Sequence, residues 1–325
     1  MARKQRDAEE MVRAFSNYDA HVEIVCCWHS WYDSKVPECH FDRFPKRKGK
    51  GDGALTPDFV VDFDNGYVLV GEACRLPMQE DGFRRSVAQA ASYMGIAEQA
   101  DVVMLVPVDI APESELRIRD AHLLEDDDPV ILVAYSRNTN VVHERWEFLR
   151  AASIRSARFR DDFLGQDLSL GIHLCDKLRP LRVGIEYCID KKRRFPFIND
   201  QPPTVYSAAY LWMYVVPLEL SKEDFINHRL DDEDLVIFTT PHRLQTLCES
   251  ELGVTMNLDW IRGALDLLVE AGLTRKQGTD FAVHLGKLRV SKSGSREFVR
   301  QIAELVGSVP GSTDSGAGQI ALPLN

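Results

Sequence analysis

The sequence predicts an α/β protein: a mixed sheet flanked by helices, followed by a smaller unit of short helices and a hairpin. Three observations carry this. Two apolar runs, Asp58 to Asp64 and Tyr67 to Cys74, meet at Asn65-Gly66, and Asn-Gly between such runs is the strongest short hairpin signal a sequence offers. Apolar strand patterns then alternate with helical or charged segments as far as Tyr135, the order of a sheet covered by helices. From about Asp231 the pattern changes to short helices and a second turn at Gln277-Gly278.

The elements follow in chain order. Residues 4–17 read as a helix with Ala8, Met11, Val12 and Phe15 on one face. His21 to Trp28 is β-branched and apolar and predicts a strand; Asp42 to Ala54, rich in Gly, Lys and Asp, predicts a loop. After the hairpin come a helix over Asp81 to Glu98 and strands over Asp101 to Pro107 and Pro129 to Tyr135. Arg155, Arg158 and Arg160 line a helix or loop, and Leu181 to Ile189 reads as a strand. Pro202-Pro203 breaks the chain before an apolar helix around Tyr206 to Val215. Helices over Pro241 to Leu252 and Asn257 to Ala271, the second stopped by Gly272, lead to strands at Leu273-Thr274 and Phe281 to Leu285. A last helix covers Arg296 to Val306, and a Gly-, Ser- and Pro-rich tail follows. The expected division is a first domain over 1–150, a connecting region over 151–230 that can complete it, a second domain over 231–306 and a tail over 307–325.

Composition narrows the function classes. The chain of 325 residues is 45% hydrophobic, enough for real cores. It has no run of about 20 apolar residues and no apolar leader, so no membrane partner and a cytoplasmic location are expected. A net charge of −11 argues against nonspecific coating of nucleic acid. Two local basic segments stand out, Lys46, Arg47, Lys48 and Lys50, and Lys191 to Arg194; each reads either as a DNA contact or as a solvated loop. Cys26, Cys27, His29, Cys39 and His40 cluster without a Cys-x-x-Cys pair, so zinc is not expected, and the adjacent cysteines read as strand residues facing opposite ways.

Metal-assisted phosphodiester hydrolysis needs carboxylates held close together to bind a cation that activates water. Pro57-Asp58 opens the first hairpin strand and Glu72 lies on the second, so both carboxylates fall at one sheet end. Gln89 and Tyr93, spaced i and i+4 on the following helix, share a face, with Arg85 one turn earlier. Thr56-Pro57-Asp58-Phe59, Gly71-Glu72-Ala73-Cys74 and the Gln89–Tyr93 element together resemble the PD-(D/E)XK nuclease superfamily in its RecB-like QxxxY branch. The resemblance implies a restriction-endonuclease-like fold and a Mg²⁺ or Mn²⁺ site on Asp58 and Glu72. It also implies that Gln89, Tyr93 and Arg85 orient DNA or water.

Position 74 departs from the family, which places lysine there. Side chains alternate along a strand, so residue 74 shares a face with Glu72, and a thiol supplies no positive charge. Arg85 is the candidate replacement. An upstream acidic ligand from the first helix is expected at Glu9 or Glu10.

The second domain resembles a winged helix. The exposed face of its second helix carries Asp259, Arg262, Asp266 and Glu270, whose three carboxylates repel phosphate. The wing is basic, with Arg275, Lys276, Lys287 and Arg289, so DNA binding through the wing and protein docking both stand open. The last residues, Gln319 to Asn325, resemble the peptide that docks bacterial replication and repair proteins on the sliding clamp, with Gln319 at the rim and Leu322 and Leu324 in an apolar pocket. The expected function is a bacterial or phage DNA-processing protein acting in repair, replication or defence. Its core would be a metal-dependent nuclease-like domain, and its partners DNA and the clamp. The alternatives are an inactive pseudo-nuclease serving as a binding or assembly subunit, and a transposition endonuclease subunit similar to TnsA.

Overall fold

The computed structural model describes residues 2–35, 39–43, 45, 47–48, 54–74, 80–93, 96–97, 100–120, 130–138, 145–150, 172–173, 202–220, 235–252, 255–288 and 294–308. The chain is a mixed α/β protein. Its centre is a five-strand mixed sheet with helices on both faces, and a small three-strand antiparallel sheet lies towards the C-terminus.

Helix α1 spans Ala2–Lys35. The helix expected over residues 4–17 therefore runs on through His21 to Trp28, where a strand was expected. Phe15, Tyr18, Val22, Val25, Trp28 and Tyr32 are all buried. Their spacing of three and four residues is that of one helix face, and burial of that face outweighs the weak strand preference of Val22, Ile24 and Val25. Cys26 and Cys27 accordingly lie on a helix, not on opposite faces of a strand.

The sheet order is β1–β4–β5–β6–β7, formed by Cys39–Arg43, Phe59–Phe63, Val68–Ala73, Ala100–Pro107 and Val130–Asn138. Two further strands, β8 (Arg145–Arg150) and β9 (Ile172–His173), extend the β7 edge. Strands β1, β4 and β5 pair antiparallel, whereas β5, β6 and β7 are parallel. The segment expected as a loop contains a short antiparallel pair, β2 (Arg47–Lys48) with β3 (Ala54–Leu55).

The β4–β5 hairpin turns at Gly66, whose φ of 82° lies in the left-handed region that the Asn-Gly signal anticipates. Gly71 sits opposite Phe59. A Cβ at Gly71 would lie 2.0 Å from the Phe59 ring, so the ring packs flat against the strand only because position 71 is glycine.

Alternation along β4 and β5 divides two cores. Phe59, Val61, Phe63, Leu69 and Ala73 pack on the α1 side. Val60, Val68, Val70 and Cys74 pack on the other side with Val87, Ala90 and Tyr93 of α2 (Glu80–Tyr93) and Ala111 of α3 (Ala111–Asp120).

The α1-side core does not stop at the sheet. It continues into Val205 to Val216, where α4 (Thr204–Tyr210) passes into a π-helical turn over Leu211–Val215 and a 3₁₀ turn over Val216–Glu219. Tyr206 lies 5.3 Å from the Phe15 ring and 4.5 Å from that of Tyr18. From there the core enters the small sheet, ordered β10–β12–β11 from Val236–Thr239, Asp280–His284 and Thr274–Gln277. Helices α5 (Pro241–Leu252) and α6 (Leu258–Glu270) fill the chain between β10 and β11. Asn257 caps α6 by accepting from the Asp259 amide at 2.8 Å, and Gly272 closes it at φ 71°. Helix α7 (Gly294–Ser308) brings Phe298, Val299 and Ile302 into the same core as α1. The Leu181 to Ile189 strand, Arg155 to Arg160, Lys191 to Arg194 and the tail fall outside the described residues. Among the described residues no helix is long and apolar enough to cross a membrane.

Candidate functional site

Asp58 precedes β4 and Glu72 lies near the end of β5. Because Phe59 pairs with Gly71, the start of one strand and the end of the other meet at the same sheet edge. Parallel strands β5 and β6 also end there, and ligands of open α/β sheets bind outside such strand ends.

Asp58 is tied down on three sides. Its amide donates to the Gly71 carbonyl at 3.0 Å, and its Oδ2 accepts from the Ala73 amide at 2.7 Å. His21 Nε2 of α1 lies 2.9 Å from Oδ1, a buried imidazole against a nearly buried carboxylate. Glu72 is held from the opposite face. Tyr93 Oη donates to Glu72 Oε2 at 2.9 Å, and Gln89 Nε2 donates to Tyr93 Oη. The i and i+4 pair of α2 thus forms a short relay ending on Glu72. Burial pushes the Tyr93 hydroxyl far up, and Glu72 adds to the shift, so it stays protonated as a donor.

Cys74 is 2% exposed and shares the α2-side core, the face that alternation predicts. Burial pushes its thiol well above the ordinary range; Glu72 and Asp58 act in the same direction, opposed by a hydrogen bond with Ser86. Tyr135 Oη donates to the Cys74 carbonyl at 2.8 Å, and the Cys74 amide donates to the Leu105 carbonyl at 2.8 Å, so the strand end is pinned to its neighbours.

Asp58, Glu72, Gln89 and Tyr93 are therefore brought together. Arg85 is exposed on α2 with interactions of its own. Glu9 and Glu10 are exposed on α1; at about 1.5 Å per residue they lie roughly 17 Å along the helix axis from His21, the α1 residue that does reach the site. Arg47 is held by Asp42 at 2.9 Å and Asp62 at 2.6 Å. Lys46 and Lys50 lie outside the described residues, as do Gln319, Leu322 and Leu324, and Lys48 is described only as a strand residue. Arg275 and Lys276 are exposed on β11, the latter 5.6 Å from the centre of the Phe281 ring. Asp259, Arg262, Asp266 and Glu270 are exposed on α6, with Arg262 paired to Asp259 at 3.1 Å.

Sequence reasoning missed His21 and Tyr135. The three-and-four spacing from Phe15 to Tyr32 was the available signal for the longer helix, and with it for His21. Nothing local marked Tyr135.

Two carboxylates offer oxygen donors, which suit a hard divalent cation that keeps several waters. Among the described residues no group of three or more His, Cys, Asp or Glu side chains is gathered to hold a metal ion. Cys39, Cys74 and Cys248 are free thiols. No family model matches the chain, and neither a curated protein nor a solved structure matches it.

Proposed function

We propose that the chain is a DNA-processing protein with a PD-(D/E)XK nuclease-like site in a restriction-endonuclease-like domain, followed by a winged helix. The observation that supports this reading best is the pairing of Asp58 and Glu72 at one sheet end, with Glu72 held by the Gln89–Tyr93 relay. Asp58 and Glu72 would hold Mg²⁺ or Mn²⁺, which when bound supplies Lewis acidity and an activated water. Tyr93 fixes the Glu72 carboxylate, and His21 with the Ala73 amide fixes that of Asp58. The winged-helix reading is supported by the order β10, α5, α6, β11, β12 and the sheet order β10–β12–β11. Incubation with supercoiled DNA and Mg²⁺ or Mn²⁺ tests the activity. Cleavage that disappears in Asp58→Ala is expected; cleavage equal in the two proteins, or none in either, ends the enzymatic reading.

One observation favours a second reading, a pseudo-nuclease that binds or assembles without cutting: Cys74 contributes a neutral, buried thiol where the family has lysine. It predicts DNA or partner binding that survives Glu72→Ala.

A further inference from the structure

The outward face of the small sheet carries a feature that the nuclease-like site does not use. Strand pairing places Phe238, Ala282 and Arg275 in one row across β10, β12 and β11. Alternation puts His284 on the same face, two residues beyond Ala282. The opposite face holds Ile237, Phe281 and Val283 in the core. Phe238 is 61% exposed, although a strand phenylalanine normally contributes burial. Arg275, on the far side of Ala282 in the same row, is exposed and makes no ion pair among the described residues. His284 Nε2 is buried with no hydrogen-bond partner among the described residues.

Most of the charge on this face is basic. Burial lowers the His284 pKa below the ordinary histidine range, and Lys287 and Arg275 lower it further. Lys287, which donates to the Gly272 carbonyl at 3.2 Å, is likewise lowered by burial and by Arg275. Within the three strands the only carboxylate is Asp280, which alternation places on this face at its hairpin end, bonded by Thr279 at 3.1 Å. Basic groups that crowd one another gain from an anion between them. An exposed ring among them offers a flat apolar surface.

We propose that this face binds single-stranded DNA, with an unpaired base stacked on Phe238 and phosphates drawn by Arg275 and Lys287. Stacking on an aromatic side chain needs a base free of its partner, whereas phosphate attraction alone would serve a duplex equally. The exposed ring therefore selects the single strand over the duplex. An acidic protein would also answer the charge but has no flat base to place on the ring. The face is separate from Asp58 and Glu72, so it goes beyond the nuclease-like reading.

The test uses the full chain and a fluorescent oligothymidine of about 20 nucleotides, read by anisotropy at low salt in EDTA, which keeps any metal chemistry silent. The expected result is binding that is weakened roughly tenfold or more by Phe238→Ala and by Arg275→Ala, and kept by Phe238→Trp. A duplex of the same length should bind more weakly and respond to Arg275→Ala but not to Phe238→Ala. Phe238 is exposed, so its removal leaves the fold intact, which circular dichroism checks. Absence of oligothymidine binding, equal affinity of Phe238→Ala and the unaltered chain, or a preference for duplex overturns the proposal. Because no metal is present, such a failure leaves the cleavage result untouched, and a failure of cleavage leaves this one untouched.

Discussion

At position 74, burial and two neighbouring carboxylates act together on one thiol. All three favour the protonated form, and a protonated, enclosed thiol is a poor nucleophile. Native protein treated with a disulfide reagent at pH 8 should therefore show the same number of fast-reacting thiols as Cys74→Ser; a fast thiol missing from the variant would contradict the buried placement. The two carboxylates, though not the burial, favour an ammonium group. In Cys74→Lys the new charge meets Glu72 and Asp58, and opposite charges offset the desolvation that otherwise neutralises a buried lysine. Preorganised charge at a developing oxyanion is typically worth about 10²–10³ in rate. The expected outcome is a gain of tenfold or more in Mg²⁺-dependent nicking of supercoiled plasmid. A folded Cys74→Lys protein with no gain would show that a missing cation is not what limits the site.

Individual elements differ in how much they owe to their own residues. The β4–β5 hairpin, α5 and α6 are announced locally, by Asn65-Gly66, by helical spacing, and by Asn257 and Gly272 at the ends of α6. These agree with the sequence because the deciding interactions lie within a few residues. Helix α1 is the opposite case. Val22, Ile24 and Val25 resemble strand residues taken alone, and only the longer repeat from Phe15 to Tyr32 reveals the helix. Strand β1 went unforeseen because Cys39–Arg43 is a short edge strand whose only wholly apolar side chain is Phe41. The shared sheet end of Asp58 and Glu72 and the shared helix face of Gln89 and Tyr93 were legible, since both follow from strand alternation and helical spacing; that Tyr93 bonds Glu72 rather than DNA or water was not. His21 was not, because its role depends on packing α1 across the sheet end. Gly71 allows a direct test at this scale. Gly71→Ala forces a methyl into the Phe59 ring. Overpacking of this kind costs about 1–3 kcal/mol, to be read from urea denaturation. Replacing Phe59 by leucine in the same chain should recover part of the loss.

Across the whole molecule, a division at residue 231 cuts through packed side chains. Phe15 and Tyr18 meet Tyr206, Trp212 lies 5.7 Å from Phe298, and one buried cluster runs from the main sheet to β10, β12 and α7. The expected connecting region thus contributes α4 to the core that joins the two sheets. A fragment ending at residue 230 would lose Leu265, Leu268, Phe298 and Ile302 from that core. It should bind a dye for exposed apolar surface and melt without a sharp transition, whereas the full chain melts cooperatively. A sharp melt of the fragment would mean that the first sheet stands alone.

The joining of α1 to α7 also bears on how the protein is made. About 260 residues separate Lys35 from Gly294. At roughly 5–20 residues per second on the ribosome, the aromatic stripe of α1 waits about 15–50 s for Phe298 and Ile302 to emerge. During that interval the growing chain carries an apolar helix lacking its final cover, so a stall late in translation leaves the stripe open to chaperones.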